Sequence, residues 1–453
     1  MFIERSSARI RTARTVFVLL GLFPCAALCG WAVLRHSVTH RDAIARRGER
    51  LLGLPVRIDR VEHVRPDALR LRGCTLSSTD GEDVLAVPVV DVESSPSEVH
   101  VRLERVACSP QLARMLTALA QQWLRQPSRF PLNCVVDVGE VSWSTGPETS
   151  DARTSQAAVA RSAGVRIECV AANGSRAVRV TRGEPTGPAA SVDEIRMVVS
   201  AGAGTGEAGE PSRVRAELTG AVASPLPVAI LEACAGLAAG SLPFGGAAVV
   251  SGRFEASCED ASWSGTARAR FERVELAEAS RHLPHRMSGE ATLVIDRVDW
   301  TRGQVDACDG QFSVVNGVVE QRLLDALVSA VGCRPGPAYR PVQGEQARGI
   351  DEAAGRLRIG PAGLDLRAAT GRGTALALTR GAVILEEPPA AVPLERVAWA
   401  VSPPSAMPVP ASKATGWLLG LFSDDILAGR AGGSGPSRMP SDQAGRPGRR
   451  SDF

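Results

Sequence analysis

Apolar and polar residues alternate with period two along much of the chain beyond residue 55. Val56 and Ile58 alternate with Arg57 and Asp59, and Leu69 and Leu71 with Arg70 and Arg72. Val99, Val101 and Leu103 alternate with His100, Arg102 and Glu104. Successive strand side chains point to opposite faces, so this pattern predicts strands with one dry and one wet face. Leu293 and Ile295, then Leu357 and Ile359, repeat it later in the chain. Turn signals fall between the strands, at Arg65-Pro66-Asp67, Asp80-Gly81 and Ser94-Ser95-Pro96. Pro88 interrupts the apolar run 84–93 and predicts an edge position or a bulge there. Helical spacing is confined to short stretches: 38–52, ended by Gly53, 226–239, and about 318–331. A further helix is predicted over 109–126, with Ser109 as N-cap, Pro110 in the first position, and Leu112, Met115, Leu116, Leu119 and Trp123 on one face.

Residues 15–34, TVFVLLGLFPCAALCGWAVL, carry no charge and are long enough to span a bilayer. Arginines flank the run on both sides, so charge alone does not settle its orientation. A cleaved signal peptide is the alternative, but the run is long for one and no clean small-x-small site ends it. The expected organisation is a cytoplasmic N-terminus and transmembrane anchor over 1–34 and an N-terminal β region over 35–130. Middle β repeats with short helices follow over 131–332, then a C-terminal β region over 333–429. A disordered tail, 430–453, lacks apolar periodicity.

A short phrase recurs: IDRV at Ile58–Val61 and Ile295–Val298, LERV at Leu103–Val106 and Leu394–Val397, FERV at Phe271–Val274. In a regular strand its first residue and its valine would face opposite sides, and its arginine would share the dry side. A β-bulge that re-phases the strand removes the conflict, as does a strand end at the sheet rim. Arg60, Arg105, Arg273, Arg297 and Arg396 are therefore expected at bulges, ends or rims, reaching water or a carboxylate. The spacings between copies are too irregular for a solenoid of fixed period.

Composition narrows the function classes. Of 453 residues, 44% are hydrophobic, enough for a large core, but only 4% are aromatic. A net charge of +3 argues against a dedicated nucleic-acid binder. The ten cysteines form no CxxC pair, so zinc ribbons and thioredoxin-like sites find no support. An even count in an exported chain permits disulfides, although single buried cysteines are expected for most. Gly204–Gly209 fits GxGxxG, but Pro211 and an alternating RVRAEL follow where a nucleotide site needs a helix, so a hairpin loop is the expectation. His282 and His285 flank Pro284 in RHLPHR and are expected in a solvated turn. Asn173-Gly174-Ser175 is a formal glycosylation acceptor with meaning only in a eukaryotic secretory context. No nucleophile elbow, P-loop or EF-hand loop is present. No catalytic, cofactor or metal residues are assigned, and an enzyme is not expected.

An arginine-flanked anchor running into LLGLPVRIDRVEHVRPDALRLRGCTLSSTDGEDVLAVPVVDVE, residues 51–93, resembles the AsmA-like family of bacterial envelope proteins, which includes TamB-like and YhdP-like members. Residues 355–386, GRLRIGPAGLDLRAATGRGTALALTRGAVILEE, are similar to the family's C-terminal β repeats. The resemblance implies a mainly β fold with interspersed helices: an elongated, twisted, taco-like β-groove behind a single anchor. It also implies a place in the bacterial inner membrane with the bulk of the chain periplasmic, and a part in phospholipid transport, outer-membrane biogenesis and envelope integrity. The expected lining is Val56, Ile58, Leu69, Leu71, Val99, Val101, Leu103, Leu293, Ile295, Leu357 and Ile359, with phospholipid acyl chains as cargo and other envelope proteins as further partners. The competing expectation is a structural or regulatory envelope protein whose apolar face is a closed core without cargo.

Overall fold

A computed structural model describes residues 7–35, 37–78, 83–125, 133–143, 160–172, 175–183, 193–201, 214–238, 240–259, 262–283, 285–340 and 347–401. These are mainly β, 57% strand against 26% helix. The chain opens with an apolar helical rod: α1 (Ser7–Phe17), a π-helical turn Val18–Leu22, and α2 (Phe23–Arg35). Within it, Arg14–Arg35 is long and apolar enough to cross a membrane, and none of that apolar window is buried against the rest of the protein. The basic helix α3 (Val38–Leu52) follows. Ser37 caps its first turn by accepting from the His40 amide at 3.3 Å. Gly53, at φ 72°, ends it in the left-handed conformation that glycine adopts without strain.

The strands β1 (Val56–Arg65), β2 (Ala68–Ser77), β3 (Asp83–Ser94) and β4 (Glu98–Cys108) then form an antiparallel meander. Helix α4 (Pro110–Arg125) carries the chain to β5 (Asn133–Trp143), which runs parallel to β4. A parallel pair needs such a crossover, whereas antiparallel neighbours need only a turn. The meander resumes through β6 (Ala160–Ala172), β7 (Ser175–Arg182), β8 (Asp193–Ala201) and β9 (Val214–Pro227). After α5 (Val228–Cys234) it continues through β10 (Val249–Glu259) and β11 (Ser262–Glu275). Helix α6 (Leu276–Ala279), β12 (Met287–Thr301), β13 (Gln304–Glu320) and α7 (Gln321–Ala326) come next. The C-terminal part holds β14 (Arg334–Pro335), β15 (Ala347–Gly360), β16 (Gly363–Ala368), β17 (Ala375–Thr379), β18 (Ala382–Glu386) and α8 (Leu394–Val401). β13 pairs directly with β15; β16 and β17 share the next edge, followed by β18 and β14. All the strands belong to one sheet, roughly 80 Å across if laid flat at about 4.8 Å per strand.

The recurring phrase marks irregular steps in this sheet. In β1, Ile58 pairs with Cys74 and Arg60 with Arg72, so Asp59 and Gly73 drop out of the ladder. Gly73 is held at φ +60°, and a Cβ there would sit 2.1 Å from the Asp59 carboxylate. The step lets Ile58 and Val61 both be buried, at 5% and 7% exposure. The register likewise shifts between Phe271 and Val274, where Arg273 has φ 57°, and opposite Ile295 and Arg297. In β4 the ladder skips Glu104, and Leu103 and Val106 both reach the same apolar cluster. The fifth copy differs from expectation: Leu394–Val397 opens α8, not a strand. A helix also puts residues i and i+3 on one face, so the same spacing serves both structures. All five arginines are exposed. Arg105 lies 3.3 Å from Glu140, and Arg297 2.8 Å from Asp299.

Pro88 falls where the sequence requires it. β3 pairs with β4 only over Val90–Ser94, so the donorless Pro88 faces no strand on that side, and it is skipped opposite Gly73 on the other. Two helices are shorter than expected, because β9 runs on to Pro227 and β13 to Glu320. Leu116, expected on the buried face of α4, is 38% exposed, while Leu124 is buried in its place. His285 is not in a solvated turn: it is 4% exposed and its Nε2 bonds the Ala400 carbonyl at 3.0 Å. The tail 430–453, the Gly204–Gly209 motif and Asn173-Gly174 lie outside the described residues.

Candidate functional site

The register places all eleven expected lining residues on one face of one sheet. Residues paired across a ladder share a face. One row runs Leu69, Val92, Val101, Val136, Ile167, Val180 and Ile195. It continues through Gly220, Phe254, Ala267, Val298, Cys308 and Ile359 to Leu364. Parallel rows carry Leu71 to Leu103, Ile295 to Leu357, and Leu293 to Phe312. The opposite face carries charge pairs between neighbouring strands: Arg70–Asp91 at 2.8 Å, Arg179–Glu194 at 2.8 Å and Arg358–Asp309 at 2.6 Å. Arg70 donates two hydrogen bonds to the Asp91 carboxylate and holds it below its ordinary value.

What covers the dry face changes along the sheet. Over β3–β8, α4 lies on it. Ser109 Oγ accepts from the Leu112 amide at 3.2 Å, and Leu112, fully buried, packs among Val90, Val106, Val138 and Val165. The other end of α4 presses Trp123 and Leu124 onto Val178, Val180 and Met197. Arg176 holds that end down, its guanidinium 4.6 Å from the centre of the Trp123 ring and donating to the Trp123 carbonyl. Ile230 and Ala233 of α5 join the cluster beside Leu112. Leu71, Val101 and Leu103, expected in an open lining, are therefore packed against a sealed core. At the far end α7, the π-turn Leu327–Val331 and α8 cover the same face, with Leu324, Ile384, Leu385 and Ala400 buried together.

Between these caps lies a stretch over β10–β13 and the start of the β15–β16 pair. Leu293, Ile295, Leu357 and Ile359 lie here, half-buried and in none of the three clusters. The sequence reading missed its aromatic residues. Phe254, Trp263, Phe271, Trp300 and Phe312 all stand on this face by register, also half-buried. Three of them lie over glycines of the neighbouring strand. A Cβ on Gly220 would meet the Phe254 ring at 2.3 Å, one on Gly265 the Trp300 ring at 2.7 Å, and one on Gly355 the Phe312 ring at 2.7 Å. A ring laid on a glycine covers its backbone and keeps the surface low. The signal was present, since these aromatics keep the period-two phase of their strands.

Two further features frame the face. Arg182 and Asp193, 9% and 6% exposed, form a buried pair where β7, β8 and β9 meet. Arg182 also donates to the Ser224 carbonyl, and Asp193 accepts from the Ser224 amide at 3.2 Å. Near the anchor, an apolar cleft of about 420 Å³ opens between Leu52–Leu54 and the outer side of α4, at Met115, Ala118, Leu119 and Gln122. No group of three or more His, Cys, Asp or Glu side chains able to hold a metal occurs among the described residues. The chain matches no known protein family, no curated protein and no solved structure.

Proposed function

We propose that this is an inner-membrane-anchored periplasmic protein of a bacterial envelope, whose apolar sheet face shields phospholipid acyl chains in transit toward the outer membrane. The carrying observation is the half-buried apolar stretch between two helix-capped ends, which among the described residues no long helix covers. A sheet face of this composition is stable in water only when something covers it. Acyl chains suit a low, aromatic and aliphatic floor without polar anchor points, and no chemistry on the face calls for catalysis. A curled, taco-like sheet belongs to the same proposal. Its support is that α5, which follows β9, packs on the same end of α4 as β3 does. Those strands stand six places apart, roughly 29 Å in a flat sheet. The resemblance of residues 51–93 and 355–386 to the AsmA-like family supports the same reading.

The full chain, purified in a detergent that exchanges slowly and extracted with organic solvent, should release phospholipid in a fixed ratio to protein. Mass spectrometry reads this directly. Lipid at background level, equal to that of an unrelated single-pass protein, would defeat the proposal. One observation favours a second reading, that of a closed-core structural protein: α4 and the α7–α8 cap already seal much of the face.

A further inference from the structure

Cys134 of β5 stands directly opposite Cys169 of β6 in the antiparallel ladder. We propose that these two cysteines are a structural disulfide of the exported protein. Directly opposed residues in an antiparallel pair have Cα atoms about 4.5 or 5.5 Å apart, depending on their place in the hydrogen-bonding pattern. Both separations lie within the roughly 4.4–6.8 Å that a disulfide spans. In the structure both are free thiols that project from the apolar face, both are half-buried, and Cys169 packs against the Trp123–Leu124 end of α4. Among the described residues no other cysteine has a cysteine as its ladder partner: Cys74 faces Val87, Cys258 faces Trp263, Cys308 faces Ile359 and Cys108 faces Trp143. The bond would pin the register of β5 against β6 beneath the helix cap.

The chemistry is thiol–disulfide exchange with a disulfide-bearing oxidant of the envelope. Two cysteine thiols give up their protons and two electrons, one S–S bond forms between them, and the donor's S–S bond is reduced to two thiols. Timing follows from burial. Burial pushes the Cys169 thiol up to about 12 and raises that of Cys134, which disfavours the attacking thiolate in the folded protein. Formation is expected while the chain folds, when both thiols are still exposed.

This inference rests on the export of residues 35–453 in the proposed function, and on nothing else in it. The test uses the full chain with its anchor, made in a bacterial host. Cells are quenched with N-ethylmaleimide, and the protein is denatured and peptide-mapped without reduction. The expected result is a linked peptide pair containing Cys134 and Cys169, with Cys74, Cys258 and Cys308 carrying the label. In a host lacking its envelope thiol oxidant, the linked pair should give way to two labelled thiols. A phosphatase reporter, active only outside the cytoplasm, is fused after residue 420 in parallel. If it is active while both cysteines are labelled in the normal host, the disulfide is overturned and the topology stands. If it is inactive, the proposed location fails and the disulfide fails with it.

Discussion

The dry face over β3–β8 and the dry face over β10–β13 are written in the same period-two code and end in different states. Under α4, Val138 and Val165 are buried, and Leu112 has no exposed surface. Over β11–β12, Ile295, Phe271 and Trp300 are only half-buried, and the Phe244 ring of the connection into β10 lies 4.7 Å from that of Phe271. The difference comes from one crossover. The parallel step from β4 to β5 obliges the chain to spend 16 residues on a helix, and that helix falls back on the face it has just left. The hairpins β10–β11 and β12–β13 are closed by short connections, and the step from β11 to β12 carries only the four-residue α6, so among the described residues no long helix falls back on this stretch. Local topology, more than hydrophobicity, decides which part of one continuous face lies beneath a long helix and which part does not.

The largest expected effects lie in the covered half. Val138→Glu would bury a carboxylate under α4 and should cost several kcal/mol, seen as a large drop in the denaturation midpoint. Arg182→Ala would leave Asp193 buried without its partner and should cost about 3–5 kcal/mol. An unchanged midpoint in either would mean that the helix cap is not the core described here. Leu112→Ala should cost about 2–5 kcal/mol by the same measurement.

The uncovered half should respond in the reverse sense. Ile295→Glu removes a half-buried side chain and should cost about 1 kcal/mol, yet it should abolish lipid co-purification. Gly355→Ala forces the Phe312 ring off its glycine, with a Cβ otherwise 2.7 Å away. It should lower lipid content while moving the midpoint by about 1 kcal/mol. If Ile295→Glu unfolds the protein as Val138→Glu does, the two regions are the same kind of core.

The smallest effect belongs to the wet face. Asp91 is held below its ordinary value by Arg70, so its contribution is present above the unfolded-state value near 4 and is lost as pH falls through the lower folded value. Both side chains are more than a third exposed, so Asp91→Asn should remove less than about 1 kcal/mol at neutral pH. It should flatten the stability curve only below about pH 4.

Much of the face was legible because side-chain alternation is a local property. Residues as far apart as Val56 and Ile359 could be assigned to dry sides strand by strand, and the register joined those sides into one. The bulges were legible for the same reason, as a break in phase at Asp59 or Arg273. What lies on top of the face was not legible. Nothing in the pattern of α4 says which surface its Leu112 stripe meets, so Val101 and Leu103 read as an open lining when they flank a core. The Arg182–Asp193 pair was invisible because its members meet only through the β7–β8 register. The copy at Leu394 misled because a three-residue spacing suits a helix as well as a bulged strand.

In the proposed function the stretch between the two helix caps holds acyl chains and the stretch beneath α4 does not. A photo-crosslinking amino acid placed singly at Ile295, Leu357, Val138 and Val141 in the full chain, irradiated in cells and analysed for attached phospholipid, separates the two. Adducts at Ile295 and Leu357 with none at Val138 and Val141 are the expected result. No adduct at Ile295 or Leu357, in protein that remains folded and membrane-bound, would contradict it.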